Sequence, residues 1–136
     1  MNDILSYKNM KKISKELGKS SDTWSDFWEF LCYTHLHPSQ VLKIKTEDIN
    51  KKNIKIPTSG KFPEVIIPLN NETNRIVIRR KIRYPNDIYL FQSHSNRVKL
   101  FNRPITLIAF NRALRKASYS TCNILISSKH SFYFDK

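Results

Sequence analysis

The residues best suited to chemistry cluster in residues 33–48, YTHLHPSQVLKIKTED, where His35 and His37 flank a leucine just before Pro38. Paired histidines of this kind can ligate a metal, move a proton or contact an anion. Ligand count tests the metal option. Cys32 and His35 are one helical turn apart, His37 follows, and Cys122 and His130 are the remaining candidates. A zinc site needs three or four ligands, each held by a further partner. Nothing in this spacing demands that, and a buried thiol beside a helix-terminal histidine accounts for the same residues. No metal and no cofactor is expected.

The elements that must position these residues belong to a chain of 136 residues, enough for one domain with its own core. We expect one domain over 1–136, with a helix and linker in 1–20 and the core in 21–136. A hydrophobic content of 40% argues for a folded chain. The 24 Lys+Arg against 11 Asp+Glu give a net charge of +13, which favours a polyanionic partner, most commonly nucleic acid. The N-terminus MNDILSYKNMKK lacks an apolar stretch with a cleavage signature, and no apolar run approaches a membrane span. A cytoplasmic, nucleoid-associated protein with no membrane partner is expected.

Along the chain, residues 6–17 read as a short polar helix stopped by Gly18. Ser21 or Asp22 caps a second helix, whose Trp24, Phe27, Trp28, Leu31 and His35 form one stripe, widened by Phe30 and Tyr33. Pro38 suits the first position of a third helix burying Val41, Leu42 and Ile44. Residues 54–56 and 64–67 are short strands around the turn signal PTSGKFP. Residues 70–83 read as a helix with Arg75, Arg79 and Arg83 on one side. Residues 87–91 read as a strand, and Arg103–Pro104 open a helix over 105–117 with Leu107, Phe110 and Leu114 inward. Ser127 or Ser128 could cap a last helix. The order predicts an α+β fold, mainly α, with a small antiparallel hairpin.

These words, in this order, resemble the C-terminal catalytic domain of the tyrosine recombinases, the phage integrase family. LCYTHLHPSQVLKIKTEDIN is similar to the family's first box, of usual form LLYTGLRxSELLxLxWxDID. NIKIPTSGKFPEVIIPLN resembles the hairpin that follows, LFQSHSNRVKLFNRPITLIAFNRALRKA the next segment, and KHSFYF the HxLRHTFAT box. The resemblance implies a helical recombinase-like fold from about Trp24 onward.

It also implies a chemistry in which a tyrosine attacks the scissile phosphate, two arginines clamp it, a hairpin lysine protonates the leaving oxygen and a histidine assists. A planar guanidinium suits the clamp because it binds two phosphate oxygens and stays charged. Carried onto this sequence, the first arginine position is His37, the nearby acid is Gln40, the lysine is Lys61, the histidine is His130 and the second arginine is Tyr133. The nucleophile segment is expected to be missing after Lys136. Losing one preorganised donor costs roughly 10²–10³ in rate. His37 at a helix N-terminus would be neutral, a donor but a poor clamp in a place suited to an anion.

The resemblance therefore implies a catalytically inactive, DNA-binding accessory or regulatory factor of a mobile element, phage or plasmid. Its expected contacts to double-stranded DNA are Lys61, Arg97, Lys99, Arg103, Arg112, Arg115, Lys116 and Lys129. Lys51, Lys52 and Lys55 read as solvated, and the face Arg75/Arg79/Arg83 fits DNA or solvent equally. Two alternatives stand beside this reading. One is an interaction module that binds a full-length tyrosine recombinase or itself. The other is an active strand transferase in which Tyr133 substitutes as nucleophile, with His130 at i, i+3 on one helix face. Against the second stands the simpler reading that Phe132, Tyr133 and Phe134 close the core.

Overall fold

A computed structural model describes residues 3–94, 102–128 and 132–135. The element order is β1 (Asp3–Ser6), α1 (Tyr7–Gly18), α2 (Asp22–Thr34), α3 (Pro38–Leu42), a 3₁₀ turn (Thr46–Asp48), β2 (Asn53–Ile56), β3 (Val65–Pro68), α4 (Asn71–Arg83), α5 (Leu107–Cys122) and β4 (Phe132–Asp135). The architecture is the expected mainly helical α+β. The chain divides into two units, residues 1–37 with 106–136, and residues 38–105. The helix of the first twenty residues belongs to the same unit as α2.

In the first unit, α1 packs against α2 and α5. Ser6 caps α1 by accepting from the Asn9 amide at 3.0 Å, and Ser21 caps α2 by accepting from the Trp24 amide at 3.2 Å. Met10, Ile13 and Leu17 repeat at three- and four-residue spacing and are buried, as are Phe27, Trp28, Phe30 and Leu31 of α2. Each such side chain contributes roughly 1.5–3 kcal/mol of burial. The Trp28 indole N–H donates to the Met10 carbonyl at 3.1 Å, so the largest buried ring leaves no polar atom stranded. Phe27 meets Phe110 of α5 edge-to-face, with ring centroids 4.7 Å apart. A buried polar cluster joins the same helices: Glu29 accepts from Ser14 Oγ and from Lys11 Nζ, and Ser14 Oγ lies 2.6 Å from Ser25 Oγ.

Three expectations are corrected here. Gly18 ends α1 without adopting a left-handed conformation; Lys19 follows in right-handed geometry, its amide bonded back to Glu16 and Leu17. His35 leaves the α2 stripe: it is exposed, caps the helix at φ 58°, and donates its amide to the Leu31 carbonyl at 2.9 Å. The last helix is not formed. Residues Phe132–Asp135 are a strand paired in parallel with β1, Tyr133 opposite Ile4. Three consecutive aromatics favour an extended chain, and β1 offers a ladder for its backbone groups.

In the second unit, Pro38 opens α3 as expected; Val41 and Ile44 are buried, whereas Leu42 is half-buried. β2 and β3 form the expected antiparallel hairpin, Asn53 opposite Pro68 and Ile56 opposite Val65. Asn70 caps α4 through a box with Thr73, each side chain accepting from the other's backbone amide. Ile76 and Val77 bury the inner face of α4. Residues 87–91, expected as a strand, form none: a bend leads to an isolated bridge at Tyr89, and a turn follows before a second bridge at Gln92. Their backbone is used by Thr46, whose amide donates to Ile88, and by Ile44, whose carbonyl accepts from Leu90. Among the described residues no helix is long and apolar enough to cross a membrane.

Candidate nucleic-acid interface

Among the described residues, the hairpin builds a well-defined cationic position. Ser59 and Phe62 exchange two backbone hydrogen bonds of 2.9 Å each, leaving Gly60 and Lys61 as a two-residue loop. Of that pair only Gly60 has a positive φ, 55°, the requirement for a glycine at the first loop position. Ser59 is buried while Lys61 is exposed, its ammonium 5.7 Å from the Phe62 ring centroid. Lower down, Lys55 and Glu64 pair across the strands at 3.4 Å and neutralise each other. The loop thus projects one cation from a fixed turn, a geometry that can meet a phosphate.

His37 follows the left-handed His35 and is half-buried immediately before α3. α3 has five residues, too few aligned peptide dipoles to make the strong anion-favouring terminus expected there. Gln40, where the resemblance puts an acid, is buried on α3. Tyr133 lies in β4, so the one-turn helical pairing of residues 130 and 133 does not arise. His130 itself, with Arg97, Lys99 and Lys129, lies outside the described residues.

The other expected contacts divide between the units. Arg103 is exposed in the second. Arg112, Arg115 and Lys116 are exposed on α5 in the first, where Phe110 and Leu114 take the inward positions as expected and Leu107 is half-buried. Thr106 caps α5, accepting from the Ala109 amide at 3.4 Å. On α4, Arg75, Arg79 and Arg83 are exposed together with Ile78 and Ile82.

Cys32 is fully buried, whereas His35 is exposed beyond the helix end, so the two do not face one pocket. Burial pushes the Cys32 thiol well above its ordinary pKa, and the Glu29 carboxylate adds to the shift, so the thiol stays protonated and unreactive near neutrality. Among the described residues no three potential ligands gather around a metal-sized space.

One cluster escaped the sequence reading. Arg80 is buried, its Nε donating to the Leu90 carbonyl at 3.1 Å and its guanidinium 4.6 Å from the Tyr84 ring centroid. Asp87 lies 4.0 Å from Arg80 Nη2 and 2.9 Å from His94 Nε2, and accepts from Gln92 Nε2 at 3.2 Å. The His94 ring stacks on Tyr84 at 3.9 Å. The legible signal was Arg80 at i+4 from Ile76 and i+3 from Val77, a cation on the apolar face of α4. The cluster braces the bend that follows α4.

A scan against protein-family models finds no match, and a search of curated proteins finds none. Solved structures do match. The fold is similar to a lambda integrase dimer bound to a COC′ core site, with a TM-score of 0.72 and 14% identity over 96% of this chain and 47% of that one. It is similar to XerA recombinase, with a TM-score of 0.67 and 20% identity over 94% of this chain and 47% of that one. A lambda integrase tetramer bound to a Holliday junction aligns with a TM-score of 0.71 and 14% identity, over 96% of this chain and 38% of that one. The chain spans less than half the length of each of these structures.

Proposed function

From a tyrosine-recombinase catalytic-domain fold, we propose that the protein binds double-stranded DNA as an accessory or regulatory factor of a mobile element, phage or plasmid, without performing strand transfer. The observation that carries the reading is Lys61, exposed at the tip of a braced hairpin in a fold shared with integrases solved on DNA. The net charge of +13 supplies the long-range attraction. The inactive half of the proposal rests on substitution. Histidine stands at position 37 where the resemblance puts a clamping arginine, and position 133, where it puts the second, is a tyrosine in a strand. Association with nucleoid DNA follows from the same charge.

A salt titration of duplex affinity tests the binding half. Five phosphate contacts, from Lys61, Arg103, Arg112, Arg115 and Lys116, give a slope of log K against log [salt] of roughly −4.5. Absence of duplex binding at about 50 mM salt removes the reading. A suicide DNA substrate tests the other half: no covalent adduct is expected, and an adduct lost in Tyr133→Phe establishes the active-transferase alternative.

A second reading, association with itself or with a full-length recombinase, is favoured by one observation: matched structures are a dimer and a tetramer. Light scattering with and without duplex decides it. A monomer under both conditions that also stays separate from an added recombinase counts against assembly.

A further inference from the structure

The first unit contains a groove of about 530 Å³ lined by the end of α1, the start of α2 and one side of α5. That volume lies within the range of small-ligand sites. Its lining combines three chemistries. Trp24 contributes an indole. α5 contributes Ala109, Ala113 and Ala117 at every fourth position, small side chains that leave the space open. Beside them Arg112 and Lys116, one turn apart, contribute two exposed cations. Glu16 also lines the groove, but its carboxylate is bridged to Lys19 at 2.9 Å. Neither Arg112 nor Lys116 has a carboxylate partner among the described residues.

A purely apolar ligand would leave the two cations without a role, and a bare phosphate would leave the indole without one. A nucleotide uses both, its base against the indole and its phosphate on the cations. In an intact duplex each base face is already covered by its neighbours, so only an unpaired nucleotide can present a face to Trp24. We propose that this groove is a subsite for one unpaired nucleotide. The site stands on the groove's own lining; only the choice of a DNA strand over a free nucleotide as its source rests on the DNA-binding reading above.

Trp24 provides the readout, because Trp28, the other tryptophan, is fully buried and hydrogen-bonded to Met10. The full chain is titrated with a single-stranded oligothymidylate, the same strand with abasic sugars, the matching duplex and free dTMP, following tryptophan emission. The strand is expected to quench Trp24 and the abasic strand to leave its emission unchanged. Trp24→Leu is expected to weaken strand affinity, measured by anisotropy, about 5- to 150-fold, the range for loss of one base–aromatic stack. Arg112→Gln with Lys116→Gln, both exposed and thus safe for folding, weakens it and flattens its salt dependence. Quenching by dTMP as strong as by the strand also supports the site, with a free nucleotide as the source. Equal binding of normal and abasic strands by every variant, or no quenching by strand and dTMP alike, overturns it. Duplex anisotropy is scored separately. A chain that binds duplex without these effects loses the groove alone, and one that shows them without binding duplex loses the proposed function alone.

Discussion

Gly60→Ala tests whether the hairpin turn is what aims Lys61. Gly60 has φ 55°, and a Cβ built there would meet nothing within 4 Å, so the substitution acts through the backbone and not through a clash. Holding an L-residue in the left-handed region costs roughly 1–2 kcal/mol. The lost freedom of the unfolded chain returns roughly 0.4–1 kcal/mol. The net is about 1 kcal/mol, and it falls on a tip closed by only two backbone hydrogen bonds, between Ser59 and Phe62. A free-energy change of about 1 kcal/mol corresponds to a factor of about 5 in local opening.

Amide hydrogen exchange reads this directly. The Ser59 and Phe62 amides are expected to lose about fivefold in protection, while the Ile54 and Ile67 region, further down the ladder, changes less. The duplex salt slope reads the consequence for function. Lys61→Ala removes one phosphate contact and makes the slope shallower by about 0.9. Gly60→Ala is expected to lower affinity while leaving the slope between those of the wild type and Lys61→Ala. Unchanged exchange at Phe62 would refute the strain argument. Faster exchange with unchanged duplex affinity would show that Lys61 does not meet DNA from this turn.

Glu29→Ala strips acceptors from Ser14 and Lys11 and is expected to cost about 1–3 kcal/mol in urea unfolding. Glu29→Gln should cost less than about 1 kcal/mol, because Lys11 is half-exposed and its ion pair is weak. Arg80→Ala empties a buried guanidinium site beside Tyr84 and Asp87 and is expected to lose roughly 3–5 kcal/mol, with Arg80→Met losing less because it keeps volume. Cys32, buried and protonated, should resist alkylation in native protein while the half-buried Cys122 reacts first. Because the folded thiol's pKa is raised, unfolding releases its proton above about pH 8.5, so stability falls as pH rises there; Cys32→Val should remove that part of the slope, measured against wild type. His37→Arg should steepen the duplex salt slope by about 0.9 yet give no covalent adduct with a suicide substrate.

The helices were legible because their signals are local. Ser21 and Asn70 are capping residues beside periodic apolar positions, and α2 and α4 begin where those caps stand. The hairpin was legible from the turn signal PTSGKFP between two β-rich runs. What failed depended on partners distant in sequence. Phe132–Asp135 pairs with a strand at the opposite end of the chain, which no window of local sequence contains. Residues 87–91 are a short run of apolar and aromatic residues that suits a strand, but their backbone is taken by Ile44 and Thr46, about forty residues earlier. Pro104 looked like a first helical residue, yet it bridges to Gln92, and Thr106 becomes the cap of α5. Of the candidate site, the exposure of Lys61, Arg112, Arg115 and Lys116 was legible, since each stands off an apolar pattern. The groove at Trp24 was not, because it needs three helices assembled.

Binding and strand transfer place different demands on a fold of this kind. Phosphate affinity is the sum of many cations, each tolerant of position, and it erodes gradually as single contacts are lost. Phosphoryl chemistry needs a few donors held to a fraction of an ångström, and it collapses when one is absent. In this chain the cations offered to solvent stay on ordered supports, Lys61 on a hydrogen-bonded turn and Arg112, Arg115 and Lys116 along a capped helix. The positions that the resemblance assigns to the clamp carry an imidazole at 37, ahead of a helix of five residues, and a strand residue at 133. Imidazole offers at most two donors, at an angle unlike the parallel fork of a guanidinium. The proposed function reads THLHPSQ as a segment without a planar clamp, not as a histidine pair recruited for new chemistry.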